Sequence, residues 1–268
     1  MILLSTHSYA YSCILYYTVL WFGWYGFNAG STLGITGEGY GDLAALAAIN
    51  TTMSGAAAAI SAIMLDAYFE LKKNGEIQYD LTMAMNGGLA GLVGVTGGCA
   101  CCEPWAAVII GVVSGCIYCL GSMLLVKLRI DDAVDGIPVH LFPGMWGCIA
   151  TGLFASEQRT KVLLGVEAKH FGWFYSWGNS TGDANLLLVE FVGVLFIFAW
   201  TLAIMTPFFF LLNVLGLFRC DPLEEEVGMD NSRHKGAAYN YDDSNKDAIN
   251  KLNLSRSSRN LSIGNESA

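Results

Sequence analysis

The chain has 268 residues, of which 54% are hydrophobic and only 14% are charged. Soluble domains carry about 25% charged residues, so this composition indicates a membrane protein. The net charge of −9 excludes the usual nucleic-acid-binding protein, which needs clustered lysine and arginine.

Six stretches are apolar enough to cross a bilayer, which takes about 20 residues. In chain order they are residues 8–29, 43–69, 81–97, 104–126, 136–155 and 186–217. The third is short and rich in glycine, and Pro207 predicts that the sixth is tilted or broken. Hydrocarbon cannot satisfy exposed backbone groups, so each stretch is predicted to be a helix. The predicted fold class is therefore all-α, a polytopic transmembrane helical bundle.

Lysine and arginine in short loops predict which side of the membrane a loop occupies. Lys72 and Lys73 follow the second stretch, Lys127 and Arg129 follow the fourth, and Arg219 follows the sixth. These loops and both termini are therefore expected on the cytoplasmic side. Basic residues after the fifth stretch weaken this assignment.

Three of the eight cysteines, Cys99, Cys101 and Cys102, cluster in one loop. A structural zinc site needs about four ligands, and only Glu103 lies nearby, so no metal is predicted. A disulfide from this loop to another part of the chain, or to another subunit, stays open. A membrane haem usually needs two axial ligands, and only one histidine lies well inside a predicted span, so no cofactor is predicted.

That histidine, His140, lies in an otherwise apolar segment just after Asp132 and Asp135. An ionisable ring at membrane depth is costly, which makes it a candidate functional residue. A neutral imidazole can accept a hydrogen bond from a small polar molecule or pass a proton. The alternative is a histidine satisfied inside a helix bundle, because polar side chains also join membrane helices.

Four motifs, in the same order along the chain, resemble the ammonium transporter (Amt) family, and the second of them resembles its eukaryotic plant-type branch more than its bacterial branch. They are WFGWYGFNAGS at 21–31, NGGLAGLVGVTGGCACCEPWAAVIIG at 86–111, DDAVDGIPVH followed by GMWGCIATGLFA at 131–155, and GMDNSRHKGAAY at 228–239. The resemblance implies an eleven-helix fold of two inverted five-helix repeats and a final slanted helix. It also implies a trimer with one pore per subunit.

Within that fold, this chain resembles the second inverted repeat plus the final helix, about helices six to eleven. Sites in inverted-repeat transporters form where the repeats meet. The resemblance therefore implies that this portion exposes pore-lining surface that a first repeat would cover.

The resemblance also implies roles for individual residues. His140 matches the second of two pore histidines that relay ammonia or a proton, Phe27 a phenylalanine of the outer gate, and Ser31 a hydroxyl at the external ammonium-recruitment site. Phe27 and the neighbouring tryptophans also fit an interfacial aromatic belt, and this alternative stays open. Asp135 matches an acidic residue near the cytoplasmic end of the histidine helix, where it either caps the helix or stabilises the pore mouth. Pro143 departs from the small residues usual after the histidine and is expected to perturb the helix.

In the tail, Gly228, Asp230 and Tyr239 match a docking motif that contacts a neighbouring subunit. Ser232 stands where plant-type members carry a phosphorylated threonine, which implies a kinase as a partner; an ordinary polar serine is the alternative. The predicted organisation is a partial transmembrane transporter domain over 1–219, a cytoplasmic regulatory tail over 220–239 and a disordered tail over 240–268.

We therefore expect a non-enzymatic, multi-pass protein of the plasma membrane. It would transport ammonium or ammonia by deprotonation and passage through a hydrophobic, histidine-lined pore. Its expected partners are the lipid bilayer and related subunits in a homotrimer or heterotrimer, without nucleic acid. Two alternatives are an ammonium-sensing receptor that signals through its tail and an inactive fragment.

Overall fold

The structure is a computed structural model that describes residues 2–165, 167–178, 181–229 and 233. Its described backbone is helical and contains no β-strand, which confirms the predicted all-α class. The long helices are α1 (Ile2–Gly30), α2 (Tyr40–Asn74), α3 (Leu81–Thr96), α4 (Pro104–Leu128), α5 (Phe142–Phe154) and α8 (Asn185–Val214). A π-helical turn, Ile137–Leu141, runs directly into α5, and α6 (Glu157–Leu164), α7 (Trp173–Gly178) and α9 (Pro222–Val227) are short.

Helices lie at all six predicted positions. Four described segments are long and apolar enough to cross a membrane: α2, α4, the π turn with α5, and α8. The third predicted helix, α3, is apolar but has only 16 residues. Of the two effects predicted for Pro207, the break is wrong, because α8 is continuous through this residue, and the tilt stays a prediction. Membrane helices tolerate an internal proline when the freed carbonyl is satisfied by other means.

The chain divides into two compact units. The larger is Tyr9–Phe198 and contains most of the helical bundle; the smaller combines Met1–Ser8 with Ala199–Ala268. The predicted domain boundaries at 219 and 239 stay predictions, and the predicted disordered tail lies outside the described residues.

Residues at the helix ends explain where the helices of the larger unit begin and end. Gly75 adopts a left-handed conformation, with φ of 78°, and its N–H bonds the Leu71 carbonyl to end α2. Asp80 begins α3 by accepting a hydrogen bond from the Thr82 amide at 2.7 Å. Pro104, which has no N–H to leave unsatisfied, begins α4. The connections between them are short, so α3 runs antiparallel to α2, and α4 runs antiparallel to α3.

Small residues allow these three helices to approach closely. Gly111 of α4 lies directly over the backbone of Ser54 of α2, where any side chain would collide with the Ser54 carbonyl. Gly91 of α3 approaches the same carbonyl, and the Ser54 hydroxyl donates a 2.7 Å hydrogen bond back to the Gly91 carbonyl. Lipid tails are as apolar as the side chains, so close backbone packing of this kind holds membrane helices together.

The cysteine-containing loop between α3 and α4 is buried and its thiols are free. The Asn50 side chain of α2 fixes this loop by donating to the carbonyls of Cys99 at 2.8 Å and Cys102 at 2.7 Å. Burial raises the pKa of the Cys99 thiol to about 12, which disfavours the thiolate that a metal would bind. All eight cysteines have free thiols in this structure.

The packing at Gly111 generates a stability prediction. Gly111→Ala should lower the free energy of unfolding by about 1–3 kcal/mol, because the added methyl pushes α4 away from α2. Gly193→Ala is the matched control: no atom lies within 4 Å of a Cβ there, so alanine should be neutral or add up to ~1 kcal/mol through helix propensity. Thermal unfolding in detergent measures both, and equal melting temperatures would contradict the packing described here.

Candidate pore site

His140 is the fourth residue of the π turn, and its side chain is exposed. Its neighbours Pro138 and Val139 are buried, and Gly121 of α4 packs against Pro138 and Phe142. The turn therefore directs its proline and valine into the bundle and its histidine away from the core. The residue is exposed, and no described residue hydrogen-bonds the imidazole.

The Asp132 carboxylate caps the start of this turn. Its Oδ1 accepts from the Gly136 amide at 2.8 Å and its Oδ2 from the Ile137 amide at 2.7 Å. These amides belong to the first turn, where no earlier carbonyl is in position to accept from them. A charged acceptor also interacts favourably with the positive end of the helix dipole.

The Asp135 carboxylate binds α4 instead. Tyr118 donates its hydroxyl to Oδ2 at 2.9 Å, and Ser122 donates to Oδ1 at 3.1 Å. Asp135 has a left-handed φ of 53°, which aspartate tolerates better than most residues. Of the two roles left open for Asp135, side-chain capping is wrong, because Asp132 supplies the cap and both Asp135 oxygens are occupied by α4.

Phe27 and Ser31 lie at the end of α1 that connects to the start of α2. Phe27 is 61% exposed, and its ring meets the Trp24 ring edge-on at a centroid distance of 6.2 Å. Trp24 is itself held by a 2.9 Å hydrogen bond from its indole nitrogen to the Thr96 hydroxyl of α3. Ser31 donates its hydroxyl to the Phe27 carbonyl at 2.6 Å. The Ser31 hydroxyl proton is thus used in this bond, and the hydroxyl oxygen can still accept a hydrogen bond.

Ser31 also lines an open cavity of about 480 Å³. The cavity lies between the start of α2 and the end of α6. Its lining combines hydroxyl groups with apolar side chains and glycines: Ser31, Thr32, Leu33, Gly34, Gly37, Tyr40, Leu163 and Leu164. A small polar solute could be held here while it loses part of its water shell.

The loop before α8 is stabilised by a histidine–aspartate pair. His170 Nδ1 and Asp183 Oδ2 are 2.6 Å apart, and this hydrogen bond lowers the pKa of the Asp183 carboxyl. Asp183 also accepts from the Asn185 amide at 2.9 Å, at the start of α8. His170 is therefore a structural loop residue. No cluster of three or more metal-binding side chains occurs in the part of the chain that the structure describes.

In the smaller unit, Gly228 ends α9 with a positive φ of 88°, and its amide donates to the Glu224 carbonyl at 3.0 Å. Arg233 donates to Glu224 Oε2 through Nε at 3.0 Å and Nη2 at 2.7 Å. The other predicted tail residues, Asp230, Ser232 and Tyr239, lie outside the described residues.

Sequence reasoning missed three residues that support the histidine segment. It noted Asp132 but gave it no role, and it did not identify Tyr118 and Ser122 as partners of Asp135. The available signal was a tyrosine hydroxyl in an apolar helix, which needs a partner when it is buried. Nothing in the spacing showed which of the two nearby aspartates would be that partner.

These features define an all-helical integral membrane protein with an unpaired histidine on an exposed helix surface and an aromatic and hydroxyl-containing cavity. A family model, the Ammonium Transporter Family, matches residues 4–239. The chain belongs to this family.

The chain is similar to known proteins over most of its own length. It is 38% identical over 229 residues to "Ammonium transporter 3" of Dictyostelium discoideum, covering 84% of this chain and 49% of that protein. It is 35% identical over 233 residues to "Ammonium transporter 1 member 2" of Oryza sativa subsp. japonica, covering 84% and 45%. The solved structure described as "Sensor Amt Protein" superposes with a TM-score of 0.66 at 27% identity, covering 82% and 48%. The chain thus spans about half the length of the relatives it matches.

The Asp135 contacts generate a second prediction. Asp135→Ala leaves the buried Tyr118 hydroxyl without its acceptor, which should destabilise the protein by about 1–3 kcal/mol. Tyr118→Phe removes the donor, so the double variant should lose less than the sum of the two single changes, with a coupling of about 0.5–3 kcal/mol. Unfolding free energies of the four proteins in detergent measure this coupling, and strict additivity would show that the hydrogen bond contributes nothing.

Proposed function

We propose that this protein transports ammonium across a membrane and that His140 lines its conducting path. The observation that carries the proposal is the His140 imidazole, exposed on a membrane helix of an Ammonium Transporter Family chain with no hydrogen-bond partner among the described residues. A polar ring at this depth is costly unless something binds it. A passing ammonia molecule, or a second pore wall, supplies that partner.

Recruitment of ammonium would begin at Phe27 and Ser31, at the end of α1 that connects to α2. An aromatic face attracts a cation with about 0.5–1 kcal/mol at an exposed site. The Ser31 oxygen can accept an N–H of ammonium, because its own proton is donated to the Phe27 carbonyl. Together these groups would replace part of the water around the ion as it enters.

Selectivity would follow from deprotonation. Ammonium can leave a proton behind and continue as a neutral molecule, whereas a metal cation keeps its charge and the full cost of entering an apolar path. A neutral imidazole can then accept a hydrogen bond from ammonia or pass the separated proton. His140 offers no fixed negative charge that would hold a permanent cation.

The conducting path needs a second wall. The matched relatives are about twice as long as this chain, and we propose that a first helical repeat covers the His140 surface. We also propose assembly as a trimer, in the plasma membrane, with the end that carries Lys72, Lys73, Lys127 and Arg129 in the cytoplasm. This orientation follows the preference of basic residues for the cytoplasmic side.

Replacing the histidine tests the function. His140→Ala, expressed at full length in cells that lack ammonium uptake, should lower methylammonium uptake by about 10²-fold, in the range usual for losing a positioned acid–base group. His170→Ala is the matched control, because it removes a histidine from the loop before α8 and should retain uptake. Wild-type protein that reaches the membrane yet carries no methylammonium would overturn the proposal, as would equal uptake by wild type and His140→Ala.

A sensing role is the second candidate, and the likeness to "Sensor Amt Protein" favours it. A sensor would bind ammonium at the same groups and signal through its tail with little flux. Saturable ammonium binding combined with negligible transport current would identify the sensor, whereas uptake in step with binding would identify the transporter.

We further propose that phosphorylation of Ser232 regulates the tail. A phosphate adds about −1.5 to −2 charges next to Arg233, whose guanidinium holds Glu224 in the described structure. Ser232→Asp should therefore change the maximal uptake rate, while Ser232→Ala should match the unphosphorylated wild type. Transport assays with membrane amounts equalised measure this, and identical rates for all three proteins would remove the regulatory role.

A further inference from the structure

The histidine segment is not an ordinary α-helix at the point where His140 lies. The Phe142 amide bonds the carbonyl of Ile137, five residues earlier, instead of the fourth residue back. Such single π turns are uncommon and occur often at functional sites. The wider turn changes the direction in which each of its side chains points.

Pro143 explains why the turn forms here. In a regular helix the Pro143 ring would collide with the Val139 carbonyl, and no N–H would be present to bond that carbonyl. Pro143 is also fully buried, so it cannot move outward to relieve the collision. A local π adjustment is one of the ways in which a membrane helix satisfies the backbone groups that a proline frees.

Contacts on both sides prevent the distortion from being relieved by rotation of the whole segment. Before the turn, the Asp132 carboxylate accepts a hydrogen bond from the Gly136 amide, and the Asp135 carboxylate accepts one from Tyr118 of α4. After it, Gly147 packs against the backbone of Gly94 of α3, and the Trp146 indole donates to the Ile110 carbonyl of α4 at 3.2 Å. A π turn contains one residue more than a regular α-helical turn. Because both ends of the segment are held, this extra residue must be accommodated between 137 and 141.

We propose that this π turn is the device that directs His140 into the conducting path, with Pro143 and Asp132 as positioning residues. The inference rests on the transport function proposed above. Without the extra residue, a regular helix joining the same two anchored ends would carry His140 at a different angle and height. The ring would then no longer face the passing molecule as it does in the native turn.

The test removes the extra residue and the proline together. The variant that combines deletion of Leu141 with Pro143→Ala lets the segment form a regular helix between its anchors. Its maximal methylammonium uptake should fall about tenfold or more, since misplacement by ~1 Å can cost up to 10²-fold. The half-saturating concentration should stay within about twofold, because the Phe27 and Ser31 groups are untouched. Leu141→Ala is the matched control: it keeps the residue count and should retain most of the uptake.

Hydrogen exchange reports the turn independently of transport. The peptide covering residues 137–145 should exchange more slowly in the deletion variant than in the wild type, because regular helical bonds replace the widened turn. Slower exchange with wild-type uptake would overturn the positioning role while leaving transport intact. Unchanged exchange would overturn the structural cause assigned to Pro143 and the extra residue. Loss of the proposed function itself is recognised separately, by His140→Ala carrying methylammonium as fast as the wild type.

Discussion

The hydrogen bonds between Asp135 and α4 are the interaction on which the arrangement of the candidate site depends. A carboxylate near a membrane helix is costly unless its oxygens are satisfied, and Tyr118 and Ser122 satisfy both of them. Because these donors lie on α4, satisfying the charge also joins the histidine segment to the rest of the bundle. The position of His140 relative to α4 therefore follows from the need to hydrogen-bond a carboxylate five residues away.

The same contacts make the segment rigid where it departs from regular helix. A helix anchored at one end could relieve a buried proline by bending or turning. Here the Asp135 contacts precede the π turn, and the contacts of Trp146 and Gly147 follow it. A distortion held between contacts on both sides is confined to a few residues, and those residues include His140. The small residues of α2, α3 and α4 support this arrangement, because they bring the helix backbones close enough for the anchors to reach.

The buried helix contacts contrast with the exposure of the three candidate site residues. Ser54 and Gly111 are buried, whereas Phe27, Ser31 and His140 are exposed. Exposed aromatic and ionisable groups on an otherwise apolar bundle are expected where a further surface or a solute completes the site. The chain spans about half the length of the relatives it matches.

Much of the fold could be predicted because hydrophobic length and glycine content are local properties. The helix positions were predictable from apolar stretches, and the motif resemblance correctly indicated the family. The roles of His140, Phe27 and Ser31 stay predictions, although the free acceptor on Ser31 and the unpaired imidazole suit them. Where the sequence was ambiguous, as for the two aspartates before His140, no local rule could decide which carboxylate capped the turn.

The sequence by itself therefore determined that this is an all-helical membrane protein and where its helices lie, since the cost of exposing backbone to lipid acts on each segment separately. Only the tertiary structure decided that Asp132 caps the turn while Asp135 binds α4, and that the helix departs from regular α geometry as a π turn at Ile137–Leu141, just before Pro143. These outcomes depend on which donors and which backbone lie opposite on another helix. That information is distributed across residues far apart in the chain, and it exists only once the helices have packed.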